Sequence, residues 1–161
     1  MKTLKSKKGF TMVEIIIVLV IIAILIGAAV PAMIGFVNEA RGKGMSAEAN
    51  ACRTAFQSAM SEYMAMNPDD DPEDFDLATM GAYTLGAGIS IEDKVIEMLD
   101  DDFDMDRLQI VEFNAGGRLS LLVLTDSATT GASTRWIALE PGSAAQTGRG
   151  ETWPSAPTPD P

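Results

Sequence analysis

Residues 15–37 contain no charged side chain and are almost wholly aliphatic. About 20 helical residues cross the apolar core of a bilayer, so this run is long enough to span one with some tilt. It begins directly after a carboxylate, Glu14, and behind a basic leader carrying Lys2, Lys5, Lys7 and Lys8. By the positive-inside rule these lysines hold the N-terminus on the cytoplasmic side. A secretory signal places its small-residue cleavage site after the apolar stretch and discards the stretch. Gly27-Ala28-Ala29 could serve as such a site, and a plain single-pass anchor is a second reading. Glu14 argues against both, because an ionisable group in a membrane helix is costly and is retained for a partner or a purpose. Near the helix end it could also snorkel to the interface. A cut between Gly9 and Phe10, ahead of the apolar run, leaves the helix in the mature chain.

Lys7-Lys8-Gly9-Phe10-Thr11-Met12-Val13-Glu14 and the apolar residues behind it resemble the class III signal of type IV pilins and type II secretion pseudopilins. The resemblance covers roughly residues 5–37. It implies a membrane peptidase that cuts after Gly9 and N-methylates Phe10, a role for Glu14 in assembly, and polymerisation into a helical filament. It further implies an assembly platform and motor as partners. Gly27 and Pro31 fall where many family members carry helix breaks. Many Gram-negative pilins close a loop near the C-terminus with a disulfide. Cys52 is the only cysteine of this chain, so an internal disulfide is impossible, which leaves pseudopilins and Gram-positive pilins open.

The remainder is read from its own residues. Pro31 lacks an amide hydrogen, so a kink is expected near 27–31, and Arg41-Gly42-Lys43-Gly44 is poor helix material. From residue 45 to 66 an amphipathic pattern sets Ala49, Cys52, Phe56, Ala59, Met60, Tyr63 and Met66 on one face. Asn50, Arg53, Gln57 and Ser61 fall on the other. Asn67-Pro68 and the acids after it end the helix. Residues 91–99 read as a short helix with Ser90 as N-cap. Three strands follow at 108–113, 119–125 and 135–140, the first two joined across Asn114-Ala115-Gly116-Gly117. The nearly all-apolar run 119–124 is expected in the centre of the sheet. The last nine residues hold four prolines and read as an extended tail.

The expected fold class is α+β: a long N-terminal helix, membrane-spanning in its first half, packed against a small antiparallel sheet. The segments are a leader at 1–9, a filament-core helix at 10–37, and its amphipathic continuation at 38–66. A connecting segment at 67–107, a β-meander at 108–140 and a flexible tail at 141–161 complete the chain. A chain of 161 residues supports one modest core.

Charge and composition narrow the function. The formal charge is −11, and removal of residues 1–9, which carry four lysines and no acid, takes it to −15. So acidic an exported part argues against a general nucleic-acid-binding surface. The chain has no histidine, which excludes imidazole catalysis and histidine metal ligation. No phosphate-binding glycine loop is present, and no cofactor and no enzymatic activity are expected. Asp69, Asp70 and Asp71, with Pro72, Glu73 and Asp74, and the run Asp100, Asp101, Asp102 have the composition of hard-cation ligands. Neither run matches the twelve-residue calcium loop, so solvated loops are the first reading and a calcium ion the second. Cys52, on the apolar face, reads as a small buried hydrophobe.

The resulting expectation is a structural pilin, waiting as a single-pass cytoplasmic-membrane protein and then polymerising with identical or homologous subunits into a filament at the cell surface. A pseudopilin serving secretion is the alternative within the class. An anchored adhesin or DNA-uptake receptor is the alternative outside it.

Overall fold

The computed structural model describes residues 9–99 and 103–154. The leader lysines, Asp100, Asp101, Asp102 and the final prolines lie outside the described residues. The chain divides into two compact units, residues 1–42 and 43–161. Helix α1 (Met12–Met66) supplies residues to both.

Among the described residues of the first unit α1 is the sole regular element. Helix α1 runs on through Gly27, Pro31 and the Arg41–Gly44 stretch, so the expected helix break at Gly27 and Pro31 falls within continuous helix. A proline removes one backbone donor, here the one that would meet the Gly27 carbonyl. The glycines meet nothing within 4 Å of an added Cβ, so no packing contact breaks the helix there.

In the second unit α1 turns one face inward. Ala49, Cys52, Phe56 and Ala59 are fully buried, and Met45, Ala55, Met60 and Tyr63 are nearly so. Met66 departs from the expected face: it is largely exposed, and its sulfur accepts the Gly86 amide at 2.9 Å. Asn67 ends the helix by bonding back to the Tyr63 carbonyl through its backbone and its side-chain amide. Three 3-10 turns lead to α2 (Ile91–Met98). Ser90 and Asp93 form a reciprocal cap there, with the Asp93 amide 3.0 Å from Ser90 Oγ.

The sheet has four antiparallel strands in the order β1 (Leu108–Phe113), β2 (Leu119–Thr125), β3 (Arg135–Leu139) and β4 (Gln146–Arg149). The first three match the sequence reading to within a residue, and β2 is one of the two inner strands. The fourth corrects the expectation of a flexible segment from 141 onward. The β1–β2 turn is set by Asn114, whose side-chain oxygen accepts the Gly116 and Arg118 amides, and by Gly117 at φ +68°.

Two register irregularities shape the sheet, between Leu108 and Ile110 on β1 and opposite Ser120 on β2. Each extra residue resets the alternation, so Leu108 joins Val111 and Phe113, and Leu119 joins Leu122 and Leu124, on the core side. Phe56, Phe75, Tyr83 and Phe113 meet at ring-centroid separations of 5.2–6.3 Å through Phe75. Fully burying a side chain such as Phe56 contributes about 1.5–3 kcal/mol. A second, smaller cluster covers the opposite sheet face: Leu121, Val123 and Ala138 lie under Ile110, Trp136 and Trp153.

Candidate functional site: the start of the apolar helix

The first turn of α1 is organised by two side chains three residues apart. The Glu14 amide donates to Thr11 Oγ1 at 3.3 Å, and Glu14 Oε2 accepts the Thr11 amide at 3.2 Å and the Thr11 hydroxyl at 3.1 Å. This is a capping box: it satisfies backbone donors that a helix start leaves open, and it sets a carboxylate at the positive end of the helix dipole. The Thr-x-x-Glu spacing is a sequence signature of such a box. The sequence reading took Glu14 as an assembly residue and did not draw that second meaning from it.

Ahead of the cap, Phe10 is 82 % exposed and Gly9 is exposed beside it. A Cβ added at Gly9 would meet no atom of the described residues within 4 Å. Behind the cap every large apolar side chain described from Ile15 to Val37 is exposed. The helix is long and apolar enough to cross a membrane, and among the described residues the most apolar part of it is not buried. An apolar surface of that extent needs lipid or other helices around it.

Residues 4–30 match the family described as the Prokaryotic N-terminal methylation motif. This is the class III prepilin signal of type IV pilins and pseudopilins. No solved structure matches the chain. The prepilin signal implies processing by a prepilin peptidase and assembly into pilus-like filaments, and with the membrane-capable helix it fits membrane anchoring before assembly.

Within the second unit Asp70, Asp71 and Cys52, singled out in the sequence, are committed to structure. Asp70 accepts the Tyr63 hydroxyl, a bond that pushes the phenol up to about 12 by favouring its protonated form. Asp71 Oδ1 caps a 3-10 turn by accepting the Glu73 amide at 3.0 Å, and Glu73 Oε1 accepts the Ala115 amide at 2.9 Å. Asp69 is exposed. Among the described residues no three His, Cys, Asp or Glu side chains are grouped to hold a metal ion. Cys52 is fully buried; burial first, then the nearby Glu48 charge, pushes its thiol up to about 12, so at neutral pH it is a protonated core residue.

Two polar links were not legible in the sequence. Gln57, assigned to the solvent face, donates to the Gly117 carbonyl and accepts the Leu119 amide, both at 2.8 Å, tying α1 to the β1–β2 hairpin. Glu48 pairs with Arg107, which no local spacing connects.

Proposed function

We propose that this chain is the structural subunit of a type IV pilus-like filament. The peptidase cuts between Gly9 and Phe10, Phe10 is N-methylated, and α1 is retained as membrane anchor and then as filament core. The observation that carries this reading is the join between the methylation motif at 4–30 and an apolar helix whose large side chains are exposed among the described residues. Because packing among the described residues makes no demand for glycine at position 9, a requirement for glycine there is assigned to the peptidase.

Leaving the bilayer for a bundle of neighbouring helices gains little hydrophobic free energy, since lipid tails are about as apolar as leucine. Packing and polar pairs therefore set the register, and a platform and motor supply the work. Glu14 is the polar group available for pairing: cleavage creates a cationic amine at Phe10, and methylation keeps its charge. The filament stands at the cell surface, and the chain carries out no catalysis and holds no cofactor.

Intact-mass measurement of the mature protein should give a chain starting at Phe10 with one added methyl group, and Gly9→Val should leave the precursor uncut in the membrane. A mature terminus at Val30 would replace this reading with a secretory signal. Deleting the chain should remove long surface filaments from electron micrographs of the producing cell. A secretion defect in a cell without such filaments would assign the subunit to a pseudopilus instead.

A further inference from the structure

Helix α1 is supported differently along its length. Over residues 15–37 its uncharged, apolar surface suits a bilayer, where an opened backbone bond finds no water to replace it. Lipid therefore holds the helix closed across Gly27, Pro31 and Gly35. From Met45 onward one face is buried in the core of the second unit, and packing holds it. Residues 38–44, between these two stretches, have neither support. All seven are exposed, and Glu39, Arg41 and Lys43 carry charges that belong in water.

The same stretch holds two glycines that the fold does not require. Gly42 and Gly44 both lie in helical conformation, so neither serves a left-handed turn. A Cβ added at either would meet no atom of the described residues within 4 Å, so neither permits a close approach. What remains is their effect on the helix itself: each glycine lowers the helix equilibrium about fivefold relative to alanine. Glu39 and Lys43, four residues apart in the favourable order, return only about twofold. A stretch this short is marginal as helix in water without help from its surroundings.

We infer that α1 opens reversibly at residues 41–44, a hinge on the water side of the membrane that frees the orientation of the second unit from that of the anchor. The continuous helix is its closed state. Hinges are a few residues that absorb a change of φ and ψ, and glycine does so with the least steric penalty. Water at this level takes over the backbone bonds that opening releases, which lipid cannot do at Gly27 or Gly35. An anchored subunit can then present its second unit to a partner without tilting the apolar helix in the bilayer. The hinge rests on membrane anchoring alone, so it survives a failure of the filament reading.

The test uses the full chain in lipid nanodiscs. Amide exchange should be at least about tenfold faster at 41–46 than at 50–60, where α1 is packed. Gly42→Ala with Gly44→Ala should slow it about tenfold or more at 41–46 and leave 50–60 unchanged. Spin labels on Phe36→Cys and Ala51→Cys, exposed positions on either side of the hinge, read the bend directly. A closed helix sets them about 22 Å apart along its axis, at 1.5 Å per residue. The parent background should give a broad set of distances and the alanine pair a single narrow one, with buried Cys52 taking up no label. A single narrow distance in the parent background, exchange at 41–46 as slow as at 50–60, or an alanine pair that alters neither would each overturn the hinge. A chain that does not enter the nanodisc would remove the anchor and the hinge together, and that outcome is seen before any variant is made.

Discussion

The guanidinium of Arg107 faces the carboxylate of Glu48 squarely, with Nη1 2.6 Å from Oε1 and Nη2 2.7 Å from Oε2. The pair ties α1 to the start of β1, and Arg107 extends the link by donating from Nε to the Thr125 carbonyl at 2.9 Å. Thr125 Oγ1 answers with a bond to the Arg107 carbonyl, and the guanidinium also lies 5.9 Å from the centre of the Phe103 ring. The Glu48 bonds raise the arginine pKa further above its ordinary value. Charge-assisted bonds contribute about 1.5–3 kcal/mol, and the 32 % exposure of Glu48 places this pair toward the lower part of that range through solvent screening. Arg107→Ala is therefore expected to cost about 2–3 kcal/mol once the lost Thr125 bond is included, and Arg107→Lys about 1–2 because one ammonium cannot reproduce the fork. Denaturant unfolding of both variants, of Glu48→Ala and of the Glu48→Ala/Arg107→Ala double variant checks this. A coupling energy indistinguishable from zero would show the pair to be ornamental.

Alkaline pH should weaken the second unit through Cys52. Its thiol sits at about 12 in the folded chain against 9.0 for an unburied one. Between these values the unfolded chain has lost the thiol proton and the folded chain has kept it, so the folded state binds more protons. Stability is then full below pH 9, falls as pH rises, and is lost through about pH 12. Tyr63 adds a fall of the same sign, from 10.0 toward about 12. Cys52→Ala should be less stable at neutral pH, from the lost packing, but show a shallower decline above pH 9. In the folded protein at pH 8 iodoacetamide should leave Cys52 unmodified, and in denaturant it should modify it fully. Rapid alkylation of the folded chain would contradict the burial.

Gly148 should tolerate no side chain. It lies opposite Trp136 in the β3–β4 register, and a Cβ added there would overlap Cζ2 and Cε2 of the indole. The ring cannot swing away freely, because it packs over Leu121, Val123 and Ala138. Gly148→Ala is expected to cost about 1–3 kcal/mol as an overpacking change and to release β4, seen as faster amide exchange at 146–149. Unaltered exchange in that variant would mean that backbone pairing alone holds the strand.

That strand also shows where the sequence stops being legible. Gln146-Thr147-Gly148-Arg149 has no apolar alternation. It becomes a strand because β3 offers it a ladder and Trp136 covers the glycine, two non-local facts. The inner strands could be read because their apolar runs are bounded by turn residues, and the α1 core face because its spacing follows the helix. The irregularities that set Leu119 and Leu122 on one face could not, since strict alternation separates them. The processing signal is the opposite case. It is linear, so residues 4–30 carry it without tertiary context, and the structure adds only the Thr11 hydroxyl as partner to Glu14.

That hydroxyl makes Glu14 ambiguous, and two substitutions separate its possible tasks. As a cap, Glu14 needs only an acceptor that reaches Thr11, which glutamine supplies as well as glutamate. As partner to the Phe10 amine of a neighbouring subunit it needs a negative charge, which glutamine lacks. The amine of its own chain lies four residues earlier, just ahead of the cap, so a pair within the chain is possible before assembly. In the filament, an axially shifted neighbour can bring its own amine to the docked carboxylate. Thr11→Val removes the hydroxyl while leaving the charge; losing an N-cap hydroxyl costs about 1 kcal/mol, so it should loosen the first turn and still assemble, with reduced yield. Glu14→Gln should keep the cap, be cleaved and methylated, enter the membrane at the parent level, and yet fail to enter filaments. Glu14→Ala should fail likewise, and Glu14→Lys more completely, because it sets two cations against each other in an apolar bundle. The measurement is filament yield by sedimentation and electron microscopy, beside intact mass of the membrane pool. Full yield from Glu14→Gln with poor yield from Glu14→Ala and Thr11→Val would make the cap the whole of its role, and the charge pair would have to be abandoned.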